Sequence, residues 1–150
     1  MTTNISQIMR KKLEVIEEMA SVQEAAKKMK DKNVSSLVVV DGNGKPQGLV
    51  TERDLVRKVC INDVRTATVT NKEIMSSPLI IIHSSSSPPV AADMMLQNNV
   101  RHLLVVDNDD KSSLNKPIGI ITPRDFARYQ EYTRDDKEKD AIEKILEYYI

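Results

Sequence analysis

The stretch Gly48-Leu49-Val50-Thr51-Glu52-Arg53-Asp54 decides the fold, because the chain contains it twice. The second copy is Gly119-Ile120-Ile121-Thr122-Pro123-Arg124-Asp125, and it lies 71 residues further on. Each copy begins with glycine and two aliphatic residues and places arginine directly before the aspartate. A threonine followed three residues later by an acid is also the ordinary start of a helix, with the hydroxyl as cap and the carboxylate near the positive end of the dipole. The repetition of the whole set favours a shared binding role over a helix cap alone.

The similarity between the two halves extends upstream of this motif. The second copy has five extra residues between Asp107 and Gly119, and the segment that contains them, Asn108 to Pro117, is rich in Asp, Asn, Lys and Ser. That composition predicts a longer hairpin loop. A shift of 66 residues aligns Met9 with Met75, Ser21 with Ser87, Met29 with Met95, Leu37 with Leu103 and Asp41 with Asp107. This alignment, together with the repeated motif, predicts a duplicated structural unit.

Both copies predict the same order of elements. In the first, Ser21 to Glu24 is a capping-box pattern that opens a helix. The run Ser36 to Val40 is typical of a strand covered on both sides. The turn residues Asp41 to Gly44 lead to a returning strand at Gln47 to Val50, after which Thr51 caps a closing helix that runs to about Cys60. The second copy predicts a helix start at Ser87, strands at His102 to Val106 and Ile118 to Ile121, and a helix from Pro123.

These elements predict an α/β (α+β) fold made of two βαββα-type repeats. The first repeat spans 1–65 with a short leader at residues 1–8, the second spans 66–132, and a tail spans 133–150. One repeat alone leaves an apolar sheet face exposed, so we expect the two to pack through their sheets with pseudo-twofold symmetry and to form two clefts for ligands. The tail predicts an amphipathic helix that covers a core edge or a partner subunit, with a stripe at Ala141, Ile142, Ile145, Leu146 and Tyr149.

Composition narrows the classes of function. The 22 basic and 22 acidic side chains balance, so the electrostatic footprint of a general nucleic-acid binder is absent. The longest apolar runs are far shorter than the ~20 residues that span a bilayer, and the polar N-terminus is unlike a secretory signal, so we expect a cytoplasmic protein.

The chemistry-bearing residues outside the motif are few. The single Cys60 has no partner for an internal disulfide, and we expect it to be a small buried side chain. Two histidines without ligand spacing predict no metal site. The serines 84–87 lack a nearby base, which favours turn and cap roles over a nucleophile. We therefore predict no catalytic residues and no enzyme activity.

The two motifs, with Val34 to Asp41 and Val100 to Asp107 before them, resemble a tandem pair of cystathionine β-synthase (CBS) domains, often called a Bateman module. The resemblance covers about Ile8 to Tyr129. It implies a stand-alone regulatory module that needs no cofactor and binds an adenosine-containing ligand, AMP above ADP or ATP, between its repeats. It also implies a homodimer, because such modules commonly pair into flat disks, and an output through that dimer or a separate effector protein.

The chemistry of the motif suits a nucleoside phosphate. An ionised aspartate on the first turn of a helix only accepts hydrogen bonds, so it can take both hydroxyl protons of a ribose diol. Threonine hydroxyls and helix N-terminal amides can hold sugar or phosphate oxygens, and arginine can grip phosphate bidentately. The motif glycine suits close approach of the backbone to a bound ring or sugar. The candidate residues are Thr51, Arg53 and Asp54 in the first motif and Thr122, Arg124 and Asp125 in the second.

The resemblance implies that each cleft joins the aspartate of one repeat to an adenine-facing strand of the other. Arg101 and His102 match positions where adenylate-binding members often carry basic residues, so the first cleft is favoured for a charged phosphate. His102 can equally be a satisfied core residue, and His83 is expected to be structural. The first cleft takes Thr51 and Asp54 with the backbone around Leu79 and Ile80 and with Arg101 and His102. The second cleft takes Thr122 and Asp125 with the backbone at Leu13 to Val15, with Ser35-Ser36 and with Arg10. In the family, the position of Arg10 commonly holds a small hydroxyl residue.

Three alternatives stay open at this point. The clefts can be empty and the protein a scaffold whose tail helix docks a partner protein. The ligand can be S-adenosylmethionine, because the motif mainly addresses ribose. Nucleic-acid binding is known in the broader family, but four Tyr and one Phe leave few stacking platforms.

Overall fold

The computed structural model describes residues 3–107, 116–130 and 136–149, so most of the predicted hairpin insertion lies outside the described residues. The chain divides into two compact units. Leu13–Leu79 forms one, which we call the inner unit, and Met1–Lys12 with Ile80–Ile150 forms the other, the outer unit. The mixed α/β class with two similar three-stranded sheets is confirmed.

The inner unit is built on a three-stranded sheet. Strand β1 (Val15–Glu17) runs parallel to β2 (Ser36–Val40), which pairs antiparallel with β3 (Pro46–Thr51). The predicted central strand is buried over its last four residues, as expected for an apolar run covered on both faces. Strand β1 is too short for its periodicity to mark it in the sequence.

Helix α1 (Val22–Lys32) of the inner unit starts where the capping box predicts. The amide of Glu24 donates to Ser21 Oγ at 3.1 Å, and the amide of Ser21 donates to Glu24 Oε2 at 2.9 Å. These two backbone amides have no partner within the helix, and the capping box gives each of them a hydrogen bond. The helix ends at Asn33, whose left-handed backbone (φ 54°) closes the last turn.

The closing helix of the first repeat, predicted to reach about Cys60, changes geometry along its length. It is α-helical at Glu52–Asp54, which we call α2, π-helical at Leu55–Val59 and 3₁₀-helical at Cys60–Asn62. The wide π turn buries Val59 and leaves Cys60 exposed, so the expectation of a buried cysteine is wrong. A one-residue change of helical phase of this kind does not show in a periodicity count.

The outer unit repeats the same sheet. Strand β4 (Ile81–His83) runs parallel to β5 (Leu103–Val106), which pairs antiparallel with β6 (Gly119–Ile121). Ser87 caps the helix that starts at Pro88 and accepts from the Val90 amide at 3.4 Å, while Ser84 Oγ donates to Asp107, so the turn and cap roles of the serine run are confirmed. The helices of this unit are α4 (Pro88–Asn98), α5 (Pro123–Gln130) and α6 (Asp136–Tyr149); helix α3 (Asn71–Ile74) belongs to the inner unit.

The core of the outer unit includes segments from both ends of the chain. Ile5, in the predicted leader, lies in a short 3₁₀ turn (Ile5–Gln7) and is fully buried. Ile142 and Ile145 of α6 are fully buried in the same core. The amphipathic tail helix is confirmed, and it covers a core edge of its own chain. The side chains of Ala141 and Tyr149 lie outside the described set.

Each sheet is extended by the segment that leads into the other repeat. In the outer unit, the Arg10 amide donates to Ile120 O at 2.8 Å and the Ile120 amide returns a bond to Arg10 O at 2.9 Å. In the inner unit, Leu49 and Ser76 exchange the same pair of bonds at 3.0 and 2.8 Å. The 66-residue shift aligns Arg10 with Ser76, so the duplication includes this pairing. The boundaries of the two compact units therefore differ from the boundaries of the sequence repeats. The predicted repeat boundaries at residues 65 and 132 stay a prediction.

The motif glycines lie at these two pairings. A Cβ on Gly48 would stand 2.7 Å from Ser76 O and 2.9 Å from Met75 Sδ. A Cβ on Gly119 would stand 2.5 Å from Met9 Sδ and 3.0 Å from Arg10 O. The close approach of the chain's own segments, Met75-Ser76 and Met9-Arg10, therefore accounts for both glycines without a ligand.

Alanine at Gly48 is expected to lower the free energy of unfolding by about 1–3 kcal/mol, because the Ser76 carbonyl cannot move away without breaking the hydrogen bond that it accepts from the Leu49 amide. Gly42→Ala is the matched control, since nothing lies within 4 Å of the added Cβ. Urea unfolding of the two variants measures the difference. Equal stabilities would show that the packing at Gly48 is not tight.

Candidate functional site

The first motif fixes a buried carboxylate at the start of a helix. Thr51 ends β3 and caps α2, and the Asp54 amide donates to Thr51 Oγ1 at 3.1 Å. In return, Asp54 Oδ2 accepts from the Thr51 amide at 3.0 Å and from Thr51 Oγ1 at 3.1 Å. Asp54 is only 8% exposed. The capping box therefore holds one carboxylate oxygen and positions the other.

The second oxygen of Asp54 has two partners that sequence reasoning missed. Ser76 Oγ donates to Oδ1 at 3.3 Å, and Lys58 Nζ lies 3.2 Å from the same oxygen. Lys58 Nζ also donates to Ile74 O at 2.8 Å. The spacing of four residues between Asp54 and Lys58 was a signal in the sequence, since such pairs share a helix face. Ser76 gave no local signal, because its position follows from the pairing with Leu49.

The second motif builds the same arrangement in the outer unit. Asp125 is 8% exposed, and its Oδ2 accepts from the Thr122 amide at 2.9 Å and from Thr122 Oγ1 at 3.3 Å. By alignment, Arg10 stands in the place of Ser76 and Tyr129 in the place of Lys58. The two motifs therefore share the capped carboxylate and differ in the residues around it.

The remaining predicted site residues are spread over both units. The structure brings together Thr51 with Asp54 and Thr122 with Asp125, while both motif arginines are exposed on the first turn of their helices. The roles of the other residues toward a ligand stay predictions. In the inner unit, Val15 lies in β1 and is 44% exposed, Ser35 is exposed and Leu79 is half-buried; in the outer unit, Ile80, Arg101 and His102 are half-buried before their strands, and His83 is exposed.

The capped carboxylates are suited to accept hydrogen bonds. A buried carboxylate with two accepting oxygens can hold hydroxyl groups, and a diol that reaches Asp54 Oδ1 would replace Ser76 or Lys58 as its partner. Among the residues that the structure describes, no group of three or more His, Cys, Asp or Glu is placed to hold a metal ion. Within the same residues, no helix combines the length and the apolar character needed to cross a bilayer.

The duplicated capped carboxylate coincides with a known domain. The family model of the CBS domain matches residues 5–60 and again residues 72–132, and each match contains one of the two motifs. The chain belongs to the CBS domain family. A CBS pair fits a regulatory, non-catalytic module.

Similar proteins include two whose solved structures contain CBS domains. An uncharacterised 17.7 kDa protein from Acidianus ambivalens is 33% identical over 128 residues, which are 85% of this chain and 73% of that protein. A CBS domain protein from Thermoplasma acidophilum has a TM-score of 0.78 and 25% identity over 97% of this chain and 75% of that one. The CBS domain pair of protein MJ0100, solved in complex with 5′-methylthioadenosine and S-adenosyl-L-methionine, has a TM-score of 0.71 and 27% identity over 85% of this chain and 99% of that one.

Proposed function

We propose that this CBS pair is a regulatory module that binds an adenosine-containing ligand, AMP first among the candidates, at its threonine–aspartate motifs. The observation that carries the proposal is the buried carboxylate of Asp54, held by Thr51 at a helix start and repeated at Asp125. An acceptor-only group in this position suits the two hydroxyls of a ribose.

The similar CBS pair with methylthioadenosine and S-adenosylmethionine supports the adenosine part of the proposal, since both of its ligands carry a ribose and an adenine. The cations near the first motif favour AMP over a sulfonium ligand. Lys58 lies 3.2 Å from Asp54 Oδ1, and Arg53 is exposed on the same turn. A phosphate can bind such donors, whereas a sulfonium cation is repelled by them.

A thermal-shift series tests this function. AMP at 100 times its dissociation constant adds about 2.7 kcal/mol of stability, which for a chain of this size raises Tm by about 5–10 °C. The matched control is 2′,3′-dideoxy-AMP, which keeps the adenine and the phosphate but has no diol. We expect it to give a much smaller shift.

Two outcomes would overturn parts of the proposal. An equal shift with the dideoxy compound would show that the diol does not bind the aspartates. No shift with adenosine, AMP, ADP, ATP or S-adenosylmethionine would reject the ligand-binding function and favour a ligand-free scaffold that docks a partner protein.

We also propose that the module acts as a homodimer, whose arrangement or effector contact the ligand changes. A ligand shifts such an equilibrium only by its difference in affinity for the two states. Native mass spectrometry of the purified protein reads subunit count and retained ligand together. A monomer at all concentrations, with and without AMP, would reject this output.

A further inference from the structure

Lys58 places a positive charge against the carboxylate of the first motif. Its Nζ lies 3.2 Å from Asp54 Oδ1 and donates to Ile74 O at 2.8 Å. The side chain of Lys58 is 44% exposed, whereas that of Asp54 is 11% exposed. The cation therefore stands between a buried acceptor and the surface.

The ammonium group has capacity for another partner. It carries three N–H donors, and the described contacts to Asp54 and Ile74 use two of them. The bond to Ile74 O holds Nζ near the carboxylate even when another group takes Oδ1. Arg53 is also exposed, but it has no comparable anchor among the described contacts. Lys58 is thus the positioned cation of the first motif.

We propose that Lys58 selects the charge of the ligand at the first motif, favouring a ribose that carries an anionic ester over a neutral nucleoside or a sulfonium. This rests on the proposed function. A sugar hydroxyl bonded to Asp54 Oδ1 lies next to Nζ, so a phosphate on the same sugar lies within the Debye length of about 8 Å at physiological ionic strength. Their attraction is therefore only partly screened.

The same geometry predicts that removal of Lys58 affects the affinity for neutral ligands differently from the affinity for anionic ligands. Lys58 occupies Oδ1 in the described structure, so a neutral diol must compete with it. Removal of Lys58 therefore leaves adenosine affinity unchanged or increases it, and decreases AMP affinity. The second motif differs, because Tyr129 stands at the position of Lys58 and a cation, Arg10, stands at the position of Ser76.

The test compares adenosine with AMP by titration calorimetry. Both are titrated into the full chain and its Lys58→Met variant, each with Asp125→Asn to weaken the second motif. We expect the ratio of the adenosine Kd to the AMP Kd to fall about tenfold in Lys58→Met. Lys58→Arg should keep most of the ratio, and Lys72→Met, which removes an exposed lysine elsewhere in the inner unit, should leave it unchanged.

The outcomes separate this inference from the proposed function. If neither adenosine nor AMP binds the chain that carries Asp125→Asn alone, the assignment of such a ligand to the first motif fails, and this inference fails with it. If both bind but the ratio is the same with and without Lys58, Lys58 does not select charge and the function stands. Should Lys58→Met fail to fold, Lys58→Gln is measured instead, and an unchanged ratio in that variant rejects the inference equally.

Discussion

Replacement of Asp54 by alanine is expected to weaken AMP binding at the first motif about ten- to a hundredfold. Hydrogen bonds to a charged group contribute about 1.5–3 kcal/mol each, and a factor of ten in Kd corresponds to about 1.4 kcal/mol. The variant loses the acceptor for the ribose hydroxyls and also releases Lys58 from its ion pair. Titration calorimetry with AMP measures the loss directly.

The chain offers a control that separates binding from helix capping. Asp54 also caps its helix through Thr51, so Asp54→Ala destabilises the inner unit as well. Ser21 and Glu24 form the same capping box at α1. Glu24→Ala should cost a similar cap energy, about 1 kcal/mol, and leave AMP affinity unchanged. If the two variants lose affinity equally, the Asp54 effect is structural and the site assignment is wrong.

Helix caps and buried strands could be predicted because each depends on neighbouring residues. Ser21 with Glu24, and Thr51 with Asp54, meet across three residues, so their types and spacing determine the contact. The apolar run of β2 likewise predicted a strand covered on both faces. The capped carboxylates of the candidate site were therefore accessible from sequence, and so was the duplication.

Contacts between distant segments could not be predicted in this way. Ser76 reaches Asp54 because its backbone pairs with Leu49, and no local pattern marks that pairing. The glycine of the motif suggests space for a ligand, although Gly48 makes room for Ser76. Ile5 stands in the predicted leader, although it fills a core most of whose other residues lie far along the chain. Each difference arises from tertiary packing that overrides a local interpretation.

The second large effect that we expect is a loss of stability when a buried side chain of the tail helix is shortened. Ile145→Ala should lower the free energy of unfolding by about 2–5 kcal/mol, since the side chain is fully buried in the core of the outer unit and its loss leaves a cavity. Helix α6 packs against α4 and against α5, the helix that follows Thr122. Urea unfolding of the variant measures the loss.

Lys144→Ala controls for helix propensity and surface charge on the same turn. The side chain of Lys144 is 68% exposed and pairs with the equally exposed Asp140 at 3.6 Å, so its removal should change stability by no more than about 0.5 kcal/mol. A large difference between the two variants means that α6 stabilises the outer unit through its buried face. Equal, small effects would instead mean that the helix detaches in solution, and its apolar stripe would then be available to a partner, as the scaffold alternative requires.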